Sequence, residues 1–185
     1  MELLNVLSAF GLSASAGLNA YIPLLIVALL AKFTTLIQLK APWDTLTSWW
    51  IIGVLVVLSL IEFFADKVPA VNHVNDIIQT IVRPLAGAIL FAASAQIITE
   101  IHPVLSLGLG LLIAGGVHTV KAAAVRPAVT AATGGAGNVP VSIAEDLVAT
   151  LISFLSVVIP VIIACILVIL TAWIVWRMWR RPKTA

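Results

Sequence analysis

The sequence predicts an all-α, polytopic helical membrane protein, and three observations lead there. Of its 185 residues, 62% are hydrophobic and only 10% are charged, whereas about a quarter are charged in a water-soluble domain. Mean hydropathy is +1.17. Five stretches come close to the ~20 apolar residues a helix needs to cross a hydrocarbon core of ~30 Å. About five transmembrane helices are therefore expected, in one transmembrane domain over residues 1–185, with every function built from the spans and their short loops.

The first stretch, Leu3–Ala31, follows a start (Met1-Glu2-Leu3) without the basic segment of a cleavable signal, so it is read as a retained span. It is longer than one crossing needs. Gly11, Ser13, Ser15, Gly17 and Asn19 interrupt its large apolar residues, the pattern of a broken helix or a close helix contact. The second stretch is Leu46–Ala65. In the third and fourth, Ile77–Thr99 and Val104–Val120, small residues such as Ala86, Gly87, Gly110 and Ala114 let backbones approach, and a tight hairpin is expected. The fifth, Leu147–Trp176, is again long, with a kink expected at Pro160. The intervening Val68–Asn75 and Pro127–Val141 either extend outward or fold back as re-entrant segments. Cys165, the lone cysteine, lies in an apolar run and reads as a small hydrophobe.

Lys32 and Lys40 follow the first stretch, and Arg177, Arg180, Arg181 and Lys183 follow the last. Four crossings separate the two groups, and the positive-inside rule then places both, with the C-terminus, in the cytoplasm and the N-terminus outside. Trp43, Trp49, Trp50, Trp173, Trp176 and Trp179 would mark that same interface. The net charge of +2 sits largely in this tail, which reads as a topology anchor and not as a nucleic-acid surface.

Most of the remaining charge gathers on the opposite side: Glu62, Asp66, Lys67, Asp76, Arg83, Lys121, Arg126, Glu145 and Asp146, five acids against four bases. Unpaired charge near a bilayer is expensive, so a paired network is expected. Glu62 and Asp66 stand four apart on one helix face and repel unless a cation, proton or metal lies between them. They are either a cation or proton site or carboxylates neutralised by Lys67, Arg83 or Arg126. Asp76 and Arg83 share a face across Gln79 and Thr80, although a carboxylate near a helix start also reads as a cap. His73 has no second histidine at metal spacing. His118, Lys121 and Arg126 lead into Thr133-Gly-Gly-Ala-Gly-Asn138, a basic cluster beside a glycine-rich turn that would suit an anion. Val-Arg-Pro occurs at 82–84 and again at 125–127, and residues before proline leave the α region, so each arginine is expected at a helix break. Ser142-Ile-Ala-Glu145 fits a capping box, which leaves Asp146 as a partner for the bases.

Gly11-Leu-Ser-Ala-Ser-Ala-Gly-Leu-Asn-Ala-Tyr-Ile-Pro23, Glu62-Phe-Phe-Ala-Asp-Lys-Val-Pro69, Asn75-Asp-Ile-Ile-Gln-Thr-Ile-Val-Arg-Pro84 and Gly115-Gly-Val-His-Thr-Val-Lys121 carry a resemblance, as do Arg126-Pro127 and Gly134-Gly-Ala-Gly-Asn138. Through them nearly the whole chain resembles a domain-of-unknown-function family of small bacterial integral membrane proteins. The resemblance implies a bacterial inner-membrane location and supplies no activity.

The residues point first to a small transporter or channel for an ion or charged solute, lined by Asn19, Glu62, Asp66, Asp76, Arg83, His118, Lys121, Arg126, Asn138 and Asp146. Five helices make a thin wall, which suits a homodimer. The bilayer and the solute are the partners expected, with no cofactor and no metal assigned. A second reading is an enzyme or binding protein for a lipid head group. Lys121-Ala-Ala-Ala-Val-Arg126-Pro127 is partly similar to a lipid-phosphatase segment, but its spacing differs, and no Ser, Cys or Thr stands beside a base, which weighs against an enzyme. A third reading is a structural subunit of a membrane complex.

Overall fold

The computed structural model describes residues 2–67, 69–95 and 102–179 and contains no strand among them. Six helices account for most of these residues: α1 (Glu2–Leu18), α2 (Tyr21–Phe33), α3 (Trp49–Ala65), α4 (Pro69–Ala95), α5 (Pro103–Thr133) and α6 (Asn138–Trp179). A 3₁₀ turn, Trp43–Thr47, leads into α3, and α5 contains a π turn at Lys121–Val125.

Three helices, over Asn75–Ala95, Pro103–Thr133 and Asn138–Pro160, are long and apolar enough to cross a membrane, and they make this a multi-pass membrane protein. The expectation of five spans is corrected to these three. At 1.5 Å per residue, the 17 residues of α1 and α3 and the 13 of α2 reach only about 26 and 20 Å, short of the ~30 Å core. Apolar composition overcounted because it ran across the Asn19-Ala20 break and through the 3₁₀ turn. The side assignment, which required four crossings between the Lys32–Lys40 segment and the tail, loses its basis with the five-span count.

Loops contract in return. The helix of α4 begins at Pro69 and that of α6 at Asn138, so Pro69–Asn75 and Pro127–Thr133 are helical and not extended loops. Gly134, with φ of 60°, ends α5 in the left-handed region that glycine tolerates. Asp76 therefore lies inside α4 and caps nothing, and Ser142 and Glu145 lie inside α6, where no capping box can form. Neither Val-Arg-Pro breaks its helix. The α4 helix runs on through Pro84, and in α5 the π turn immediately precedes Arg126-Pro127, loosening the ladder where proline has no N–H to donate. The side chains of His73 and Cys165, and the tail from Arg180, lie outside the described residues.

The bundle is built around α1, which packs against α4, α5 and α6. The hairpin of α4 and α5 closes on small residues: a Cβ at Gly87 would collide with the Ala114 side chain, and one at Gly110 with the Gly87 carbonyl. Ser13 donates to that carbonyl at 2.9 Å, and Ser153 donates to Ser15 at 2.8 Å, fixing α1 to α4 and to α6. Leu12, Ala16, Leu90, Ala114 and Val157 fill the core between them. The outer face of α3 (Val54, Val57, Ile61, Phe64) is exposed, as befits a surface in contact with lipid.

Candidate functional site

The site grows from the two residues, Asn19 and Ala20, that separate α1 from α2. A helix end leaves carbonyls and amides without partners, and in an apolar protein they must be met by side chains. Lys121 reaches from the π turn to donate to the Leu18 carbonyl at 2.8 Å. The Asn19 side-chain oxygen accepts the first amides of α2, from Tyr21 at 3.1 Å and Ile22 at 3.0 Å, while the Ala20 amide faces Glu62 Oε1 at 3.5 Å. Positive charge thus meets the negative end of α1, and a carboxylate meets the positive end of α2.

These contacts open onto a buried network. Arg83, with no exposed surface, donates to Glu62 Oε1 from Nη2 at 2.8 Å and from Nε at 3.3 Å, and its Nη2 lies 3.7 Å from Asp66. Asp66 is the hub. Its Oδ2 lies 3.0 Å from Arg126 and 3.8 Å from Lys121, and its Oδ1 accepts from Asn75 at 2.7 Å. Glu145 closes the ring at 2.9 Å from Lys121 and 3.3 Å from Arg126, and Asp76 lies 3.7 Å from Arg126 on the outer side. Beside this ring, Asp146 pairs with Lys67 at 3.4 Å and accepts from Asn19 at 3.0 Å. All nine charges singled out in the sequence therefore take part in ion pairs.

Burial alone would raise the Asp66 carboxyl, but Lys121, Arg126 and Arg83, with the Asn75 amide, outweigh it and hold the group below its ordinary range. His118 is fixed as a neutral ring by its neighbours. Arg83 Nη1, which can only donate, lies 3.1 Å from its Nδ1, so that nitrogen accepts; Nε2 then carries the proton toward Thr80 Oγ1 at 3.2 Å, whose own hydrogen goes to the Asp76 carbonyl. Five residues apart, Lys121 and Arg126 would point about 140° apart on a regular α-helix. The π turn between them brings both to Asp66 and Glu145.

Nine of the ten candidate residues are joined by these contacts or lie directly beside them. The tenth, Asn138, sits at the start of α6 and exchanges hydrogen bonds with Thr130 instead. Several participants were outside the candidate set, among them Lys67, the partner of Asp146. Glu145 was claimed by the capping-box pattern, although the helix starts four residues before Ser142. Asn75 and Gln79 form, with Arg83, a polar stripe at four-residue spacing in an otherwise apolar helix, and that spacing is the signal that marks them. Gln79 lies against the Tyr21 hydroxyl.

Three of the network's buried acceptors carry no hydrogen bond among the described residues: Glu62 Oε2, Asp76 Oδ1 and Gln79 Oε1. On the other flank a cavity of about 500 Å³ reaches Lys121 and Glu145 between α5 and α6. Its walls are apolar: Val117, Val120, Val141 and Val148 among them.

A family model described as a domain of unknown function (DUF4126) matches residues 6–181. No curated protein and no solved structure matches the chain.

Proposed function

Starting from the fact that this chain belongs to the DUF4126 family of unknown function, we propose that it is a small membrane transporter or channel for an ion or small charged solute, working as a single transmembrane domain in a bacterial inner membrane. The observation that carries this reading is the largely buried charge network seated on the α1–α2 break. Buried ion pairs rarely add stability over apolar packing, so a fold does not need them for its own sake. Broken helices whose ends face charged groups are a recurring device for holding ions inside membranes. In this reading Glu62 and Asp66 hold the coupling proton or cation, and Arg83 and Arg126 exchange carboxylate partners as access alternates. Asn19, Asp76, His118, Lys121 and Asp146 position them.

The test is charge movement across sealed proteoliposomes exposed to a panel of cations and anions, with tracer flux covering electroneutral exchange. Wild type is expected to give a solute-dependent signal that Asp66→Asn and Arg126→Gln abolish. Silence from folded wild-type protein in both assays overturns the reading.

The cavity beside Lys121 favours a second reading, a binding site for a lipid head group whose chain lies along the valine wall. Under it, an anionic lipid copurifies with wild type and is lost from Lys121→Gln while the liposomes stay silent.

A further inference from the structure

We infer that the network holds one monovalent cation, a proton or an alkali ion, between Glu62 Oε2 and Gln79 Oε1 beside the Tyr21 hydroxyl. The inference deepens the transport reading and rests on it for its place in a cycle. Two observations converge: unpartnered buried oxygens and a hydroxyl beside them.

The unpartnered atoms say where the cation goes, Asp76 Oδ1 set aside because its side chain is 24% exposed. Asp66 has both oxygens engaged, by Asn75 on one and by Arg126, Arg83 and Lys121 around the other. Glu62 is different: Oε1 takes both Arg83 bonds and the Ala20 amide, while Oε2 has no donor among the described residues although the side chain is fully buried. Gln79 Oε1 is likewise bare, on a residue only 2% exposed. Gln79 stands one turn from Arg83 on the same face of α4, which directs it toward the Glu62 pair.

Tyr21 contributes the third oxygen. Its hydroxyl contacts the Gln79 side chain and feels the Glu62 charge, and it sits on the first turn of α2, next to the helix break. The charged groups facing Glu62 are thus Arg83 from α4, Lys121 from α5 and Asp66 from the end of its own helix, with Tyr21 from α2. Bare acceptors on and beside a buried carboxylate suit a ligand that only donates. A proton on Oε2 or an alkali ion among the three oxygens meets that description, and an anion does not.

The experiment uses the full chain in detergent, without flux. One arm titrates sodium and potassium by calorimetry; the other follows the carbonyl stretch of a protonated carboxylic acid by infrared difference spectroscopy against pH. For an alkali ion, one saturable site is expected, lost in Glu62→Gln and weakened about tenfold or more in Gln79→Leu and Tyr21→Phe. For a proton, the carboxylic band is expected to vanish in Glu62→Gln and to shift in Gln79→Leu. The latter two variants strand no charge, so they decide the matter even where Glu62→Gln fails to fold. Neither signal in folded wild type, a signal indifferent to both Gln79→Leu and Tyr21→Phe, or one that follows Asp66→Asn instead would overturn the assignment. Binding without any flux removes the transport reading alone, whereas flux without either binding signal removes this inference alone.

Discussion

Arg83 and Glu62 show what a single buried pair costs and requires. Removing the arginine alone leaves a carboxylate without its main donor and without water, so Arg83→Leu should destabilise by about 3–5 kcal/mol. The double variant Glu62→Leu with Arg83→Leu should recover most of that loss, because it removes the stranded charge as well. Unfolding in denaturant, in detergent micelles, measures the cycle. Asp66 gives the complementary pH test. Its carboxyl is held below the ordinary value of 3.8 in the folded state, so the stability it contributes is present above that pH and is lost as pH falls through 3.8 toward the folded value. In Asp66→Asn this stretch of acid dependence should be missing. Residue identity was legible at this scale, since an acid or base in so apolar a chain announces itself. Which partner each one takes was not, because the ion pairs among the described residues join positions as far apart as Lys67 and Asp146.

Among the elements, the hairpin of α4 and α5 depends on two glycines that face each other. Gly110→Val should cost about 1–3 kcal/mol through overpacking, whereas Gly108→Ala, which meets nothing within 4 Å, should be close to neutral. Thermal unfolding of the pair checks the contrast. The small-residue pattern made this hairpin readable in advance. Helix ends were harder to read. Hydropathy averages over a window and passes over a two-residue break such as Asn19-Ala20, and a local capping motif at Ser142 outvoted the longer helix that begins at Asn138. Proline before-position rules failed for Arg83 and Arg126 because tertiary packing carries both helices past the missing N–H.

For the whole molecule, burial of the network predicts indifference to ionic strength. Screening acts on exposed charges separated by solvent, and most of these pairs lie out of its reach. Unfolding free energy should change little between low and high salt, while a network lying on the surface would weaken; denaturation at two salt concentrations distinguishes them. Membrane class and the membership of the charge cluster followed from composition and position. The number of crossings did not, because length in ångströms depends on where helices stop, and composition is blind to that.

The π turn at Lys121–Val125 has a consequence at the level of the gene. Ala122, Ala123 and Ala124 are the plainest residues in the protein, and most single replacements there leave the bundle alone. Loss of one alanine codon is milder than it sounds, because it removes the extra residue of the turn, lets the α ladder close, and leaves Lys121 and Arg126 four residues and about 40° apart on one face. Gain of one codon is another matter, since a residue the turn does not absorb swings Arg126 and everything after it by about 100°. Arg126 would then leave Asp66 and Glu145, with hydropathy and charge both essentially unaltered. In this stretch inheritance can shorten the run of alanines more safely than lengthen it.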